Sequence, residues 1–99
     1  MINKMRPIHP GEILRDELSE LALSATAFAK RLSVPTNRVT SILNGTRAIT
    51  ADTALRLACF FGTAPEFWLN LQSAYDLKVI IRKQGKQIKN QVHPHQEAA

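Results

Sequence analysis

Between residues 30 and 47 the chain concentrates side chains suited to the edges of stacked bases and to the phosphates beside them. Thr36, Asn37, Arg38, Thr40 and Ser41 come close together, Asn44 and Arg47 follow, and Lys30 with Arg31 precede them. An amide such as Asn37 pairs with adenine through one donor and one acceptor, an arginine such as Arg38 pairs with guanine, and the hydroxyls of Thr36, Thr40 and Ser41 reach base edges or a thymine methyl. Lys30, Arg31, Asn44 and Arg47 are expected to hold phosphates, contacts that position without reading sequence. From Leu21 to Ala51 the only ionisable side chains are Lys30, Arg31, Arg38 and Arg47, so this surface is expected to be purely cationic. The first helix expected before it, over residues 10–21, carries Glu12, Asp16, Glu17 and Glu20 against Arg15 alone. Acid and base are segregated along the chain.

Presenting such side chains requires a short helix held proud of a supporting body, and the segment ATAFAKRLSVPTNRVTSILNG, residues 25–45, has the pattern of two short helices joined by a tight turn. Phe28, Leu32, Val34, Val39 and Ile42 recur at core-forming intervals, and Ala29 is small enough for a second helix to cross closely. Ser24 is a natural cap for the first of the pair, and Asn44 with Gly45 ends the second. An ordinary helical hairpin in an all-α core has the same periodicity, and it stays open as an alternative.

The remaining elements follow from caps and apolar spacing. A helix over 10–21 begins at Pro10 and buries Ile13, Leu14, Leu18 and Leu21. The pair of short helices spans 25–32 and 36–44. Thr50 caps a helix over 51–61 with Ala54, Leu57, Ala58 and Phe61 on one face, and Gly62 stops it. Thr63 to Glu66 have the form of a capping box for a fifth helix over 65–81. Phe67, Trp68, Leu71, Tyr75, Leu77, Val79, Ile80 and Ile81 cannot all occupy one stripe of that helix. Trp68 and Leu71 are expected to close the core, leaving Val79, Ile80 and Ile81 as an interface for a second copy or another protein. Residues 82–99 read as a basic, disordered tail interrupted by Gly85 and Pro94.

Composition sets outer limits. The 99 residues, 44% of them hydrophobic, suffice for one domain, residues 1–81, and leave no room for a second. The net charge of +5 is less informative than it looks, because the tail contributes four bases and one acid, +3, leaving +2 for the rest. A single cysteine, Cys59, excludes an internal disulfide and is expected to pack in its helix. The opening MINKMRPIHPGEIL lacks an uninterrupted apolar stretch and no run of eighteen apolar residues occurs, so a soluble cytoplasmic protein without membrane contact is expected.

Residues 25–45 as a whole resemble the helix-turn-helix of lambda-repressor-like regulators of the Xre class. The likeness extends to RPIHPGEILRDEL near the start, ILNGTRAIT after the second short helix and PEFWLNLQ in the fifth, three motifs in the order found in HigA-type, VapI-like antitoxins. The resemblance covers about residues 6–77. It implies a five-helix lambda-repressor-like DNA-binding domain, with the helix-turn-helix at helices two and three. It also implies a homodimer on a palindromic operator that represses its own operon, and a partner toxin of the HigB type that cleaves RNA. Two departures stand out. Ala25 replaces a glutamine that helps hold a phosphate in many repressors, and Ser33 replaces the common turn glycine, which implies a turn geometry that admits a side chain.

Catalytic chemistry has little to work with. His93 and His95 flank a proline in the tail without a neighbouring cysteine, His9 is placed to flank the first helix, and no HExxH, phosphate-cradling glycine loop or arranged nucleophile is present. No enzyme activity, cofactor or metal is therefore expected. A DNA-binding antitoxin, a stand-alone regulator of phage type, and a protein-interaction module that has lost DNA reading all remain compatible with the residues.

Overall fold

The computed structural model describes residues 6–95. These form five helices and, among the described residues, no strand: α1 Pro10–Leu21, α2 Ala25–Leu32, α3 Thr36–Leu43, α4 Ala51–Phe61 and α5 Pro65–Gln91. The last four residues of the expected tail lie outside the described residues. Each start has a local cause. His9 caps α1, its Nδ1 accepting from the Gly11 amide at 2.9 Å while the Glu12 carboxylate accepts from the His9 amide at 3.2 Å. Ser24 Oγ accepts from the Ala27 amide at the head of α2, and Thr50 does the same for Thr53 at the head of α4. Ala22, Ser33 and Gly62 end α1, α2 and α4 in the left-handed conformation, and Gly45 adopts it just past α3.

The core is the meeting of all five helices. Leu14, Phe28, Val39, Ile42, Leu57 and Trp68 are essentially removed from solvent. Phe28 of α2 meets the edge of Phe60 with centroids 5.1 Å apart, and Phe61 bridges Phe28 to Trp68 of α5. The one polar atom of the Trp68 ring donates to Thr63 Oγ1 at 3.2 Å, so its burial leaves nothing unpaired. Ala29 is 1% exposed, as the crossing of α2 and α3 demands.

Several expectations are corrected. Leu21 is 48% exposed: the buried stripe of α1 ends with Leu18, and nothing covers the last residue of the helix to the same extent. The capping box at α5 does not form: Ala64 is the cap and makes no side-chain bond, while the Thr63 hydroxyl serves Trp68. Cys59 is exposed, lying on α4 away from the face shared by Ala54, Leu57 and Ala58. Ser33 occupies a left-handed position, φ 57°, so the turn keeps the geometry of a glycine and simply tolerates the side chain. Helix α5 continues ten residues past Ile81. Residues 82–91 are rich in Arg, Lys and Gln, good helix formers that outweigh the single Gly85, and the break comes only where His93 precedes Pro94.

Gly11 was not singled out by its sequence context, yet it sits where α1 crosses α3. A Cβ at this position would overlap the backbone carbonyl of Ile42. Backbone cannot swing aside as a side chain tip does. Gly11→Ala is expected to lower the unfolding free energy by about 2–3 kcal/mol in denaturant titration, overpacking outweighing the roughly 1 kcal/mol gain in helix propensity; an unchanged or raised midpoint would refute this close approach.

Candidate nucleic-acid interface

Helix α3 rests on Val39 and Ile42, each 2% exposed, and its opposite side faces outward. Thr36 and Asn37 are exposed on its first turn, Arg38 flanks them half-buried, and Thr40 and Ser41 are half-buried further along. Asn44 and Arg47 are exposed in the loop that follows, and Lys30 with Arg31 are exposed in the last turn of α2. All nine sequence-predicted residues thus keep exposed or half-buried side chains, with Asn37 and Thr36 least encumbered. Thr40 donates its hydroxyl hydrogen to the Asn37 carbonyl at 3.3 Å, which leaves that hydroxyl's lone pairs as acceptors.

The region is not purely cationic. Asp52, one residue beyond the window that contains no acid, accepts from Arg38 Nη1 at 2.7 Å and from Arg56 Nε at 2.9 Å. Arg56 in turn donates to the Leu32 carbonyl at 2.9 Å, which ties α4 to the end of α2. Hydrogen bonds from Arg56 and then Arg38 hold the Asp52 carboxyl below its ordinary range. It stays ionised, and Arg38 is a restrained cation.

The loop after α3 is set by contacts that span the chain. The Thr46 amide donates to the Ser41 carbonyl, and Gly45 has φ 77°, a conformation that glycine adopts freely. The buried Ile49 amide donates to Gln72 Oε1 of α5 at 2.8 Å, and Gln72 Nε2 donates to Asp76. Arg15 of α1 donates to the Leu43 carbonyl at 3.1 Å and so satisfies an orphan acceptor at the end of α3. His9, 6% exposed, packs edge-on to Tyr75 with centroids 4.9 Å apart and lies against Gly45. Burial pushes its pKa below 6.5, opposed by a hydrogen bond with the Arg47 backbone and by the charges of Asp76 and Glu12. Gln72 and His9 support the interface from beneath, while Arg15 is exposed and also reaches the Asn44 side chain, its Nη2 donating to Oδ1 at 3.5 Å. Among these supports only the cap role of His9 has a short-range signature.

The residues expected to form a protein interface lie on α5. Val79 is half-buried, Ile80 is 37% exposed and Ile81 57%, and Leu77 extends the apolar surface at 59%. Among the described residues no helix is long and apolar enough to cross a membrane.

A helix-turn-helix family model matches residues 14–68, from the middle of α1 to the start of α5. Virulence-associated protein I of Dichelobacter nodosus is 52% identical over 93 residues, covering 93% of this chain and 84% of that protein. Two solved structures share the architecture. An addiction module antidote protein of the HigA family from Coxiella burnetii superposes with a TM-score of 0.90 at 66% identity over 92% of this chain and all of that one. Pseudomonas aeruginosa antitoxin HigA, solved with the higBA promoter, superposes at 0.88 and 47% identity with the same coverage.

The buried His9 gives this surface support a pH dependence of definite sign. Its pKa is lower folded than unfolded, so its contribution is complete above 6.5, erodes below it and is lost as pH falls through the lower folded value, where protonating Nδ1 also breaks the bond from Gly11. Glu12, drawn from 4.5 to about 2 chiefly by its hydrogen bond from Arg6, contributes above 4.5 and loses that contribution as pH falls toward 2. Unfolding free energy from denaturant titration should decline in two steps on acidification, and His9→Asn, which retains a capping acceptor, should abolish the upper step alone. Persistence of that step in His9→Asn would remove His9 as its origin.

Proposed function

Because this chain belongs to the helix-turn-helix family, in its HigA-type and VapI-like branch, we propose that it is a cytoplasmic DNA-binding antitoxin that represses its own operon. The reading is carried by the first turn of α3, where Thr36 and Asn37 stand exposed beside Arg38 while Val39 and Ile42 anchor the helix from below. Laid in a major groove, that turn brings an amide and a hydroxyl to base edges, with Thr40 and Ser41 next along the helix. Lys30, Arg31, Asn44 and Arg47 lie around it as phosphate contacts. The P. aeruginosa relative was solved with promoter DNA, which supports the same use of this surface here.

One such domain covers a short site. Two copies on half-sites about 34 Å apart along the duplex would read a palindromic operator. The exposed apolar surface of α5 around Val79, Ile80 and Ile81 supports pairing of two copies, and the antitoxin branch supports a toxin of the HigB type as the further partner.

The decisive experiment purifies the full chain and tests it on the DNA upstream of its own gene. Asn37→Ala is expected to weaken operator binding by about 1–3 kcal/mol and to leave binding to scrambled DNA unchanged, whereas Arg47→Ala should weaken both and reduce the salt slope by about 0.9. Equal operator affinity for Asn37→Ala and the parent would dismiss α3 as the reading element. Ile80→Asp with Ile81→Asp should halve the mass seen in sedimentation and reduce operator affinity; an unchanged dimer would move the interface elsewhere. Co-expression with an adjacent small reading frame that arrests growth on its own separates an antitoxin from a stand-alone regulator, since only the former restores growth.

A further inference from the structure

We propose that Asp52 is a positioning residue that gives the DNA-facing surface its discrimination between operator and other DNA, by holding Arg38 in one orientation and by setting a negative charge beside it. The inference rests on the DNA-reading function above. Its ground is the cleft between α3, the following loop and α4, where Arg38 and Arg56 both pair with Asp52, the single acid of a lining that also includes Arg47. Ala48, Thr50 and Thr53 complete the walls. Three cations around one carboxylate leave a net positive cleft beside the exposed turn of α3.

The pairing is directional. Arg56 is pinned at both ends, Nη1 on the Leu32 carbonyl at 2.9 Å and Nε on Asp52 Oδ2 at 2.9 Å, so it fixes the carboxylate from behind. The same oxygen then receives Arg38 Nη1 at 2.7 Å. That bond engages one nitrogen of the guanidinium, and the fork geometry leaves its remaining N–H groups directed by the plane so fixed. A long cation free to rotate finds a phosphate on any duplex. One clamped in advance gains full contact only where the partner atoms fall in its plane, and it loses less rotamer freedom in doing so.

Asp52 is ill suited to a purely structural role. Its side chain is 55% exposed and those of Arg38 and Arg56 are 29% and 39%, so solvent screens both pairs and their contribution to folding is small. A carboxylate facing a polyanion would weaken binding everywhere if it were unpaired. Paired, it offsets one cation and lowers the sequence-independent attraction, while the oriented arginine retains its specific contact. Both effects widen the gap between operator and random sequence.

The test compares the full-length parent, Asp52→Asn and Asp52→Glu on the protein's own upstream DNA and on a scrambled duplex of equal length, by fluorescence anisotropy across a salt series. Asp52→Asn is expected to bind scrambled DNA about fivefold more tightly, to steepen the salt slope by about 0.9 as Arg38 gains a phosphate, and to reduce the operator-to-scrambled ratio about tenfold. Asp52→Glu should restore most of the ratio. In an Arg38→Ala background Asp52→Asn should leave the ratio unaltered, because the residue acts through Arg38. Should Asp52→Asn not fold, Arg56→Gln removes the rear anchor and must lower the ratio in the same sense. An unchanged ratio and slope, or an equal loss on both duplexes, overturns the assignment. If the parent itself fails to distinguish the two duplexes, the DNA-reading function falls and this inference falls with it.

Discussion

The approach of α1 to α3 at Gly11 is the constraint on which the outward surface depends. With no Cβ at this position, the first turn of α1 can lie against the backbone carbonyl of Ile42, and that contact sets how far α3 stands from the body. The neighbouring residues are consequences of it. Pro10 and Gly11 are both buried at the start of α1, and His9 caps that same turn, so its ring falls between the cap, Gly45 and Tyr75. Four residues after Gly11, Arg15 reaches the carbonyl at the other end of α3. One face of α1 thus determines both the height of α3 and the exit of the chain from it. Val39 and Ile42 provide apolar adhesion, which is non-directional; the backbone contact and the two polar ones supply the register.

Electrostatics on the outer face has the same division between holding and presenting. Asp52 and Arg56 belong to α4, whose apolar face is part of the core, so their positions inherit its rigidity. Arg38 receives its orientation from them. Asn37 and Thr36, by contrast, are held only by the helix backbone and keep their rotamer freedom for the ligand. The outward side chains therefore include one restrained cation, exposed ones at Lys30, Arg31 and Arg47, and a short polar turn at Thr36 and Asn37. Mobile cations supply range and speed of association, and restrained groups supply geometry.

How much of this was legible in the sequence depended on the range of the interaction. Pro10, Ser24, Thr50, Gly62 and the Asn44–Gly45 pair act within a turn of their own positions, and the starts of α1, α2 and α4 and the ends of α3 and α4 follow from them. The end of α5 was misjudged because Gly85 weighs heavily as a local breaker, although in a run of Arg, Lys and Gln it costs only about 1 kcal/mol. Ser33 shows a subtler limit: a side chain in the turn suggested a different backbone, but the fold imposes φ 57° on it regardless. Contacts between distant positions left no readable trace. Nothing around Gln72 announces that it will accept from the Ile49 amide, and Gly11 resembles any weak helix former until α3 is placed over it. Asp52 was missed for a simpler reason. No acid occurs from Leu21 to Ala51, yet the very next residue is bonded by Arg38 of α3 and by Arg56, its i,i+4 neighbour on α4.

The length of α5 separates the turns that serve the core from an exposed apolar surface further along the same helix. Its first turns are part of the core through Trp68 and of the loop support through Gln72 and Tyr75. At about 1.5 Å of rise per residue, 27 residues span about 40 Å, and the molecule measures 59 Å in its longest dimension against 24 and 25 Å across. The helix therefore leaves the body after serving it. Leu77, Ile80 and Ile81 become exposed about where it does so, within one to three turns of Gln72. A protein seated on that apolar surface would press on the same helix that holds the Ile49 amide and the His9 ring, next to the loop carrying Arg47.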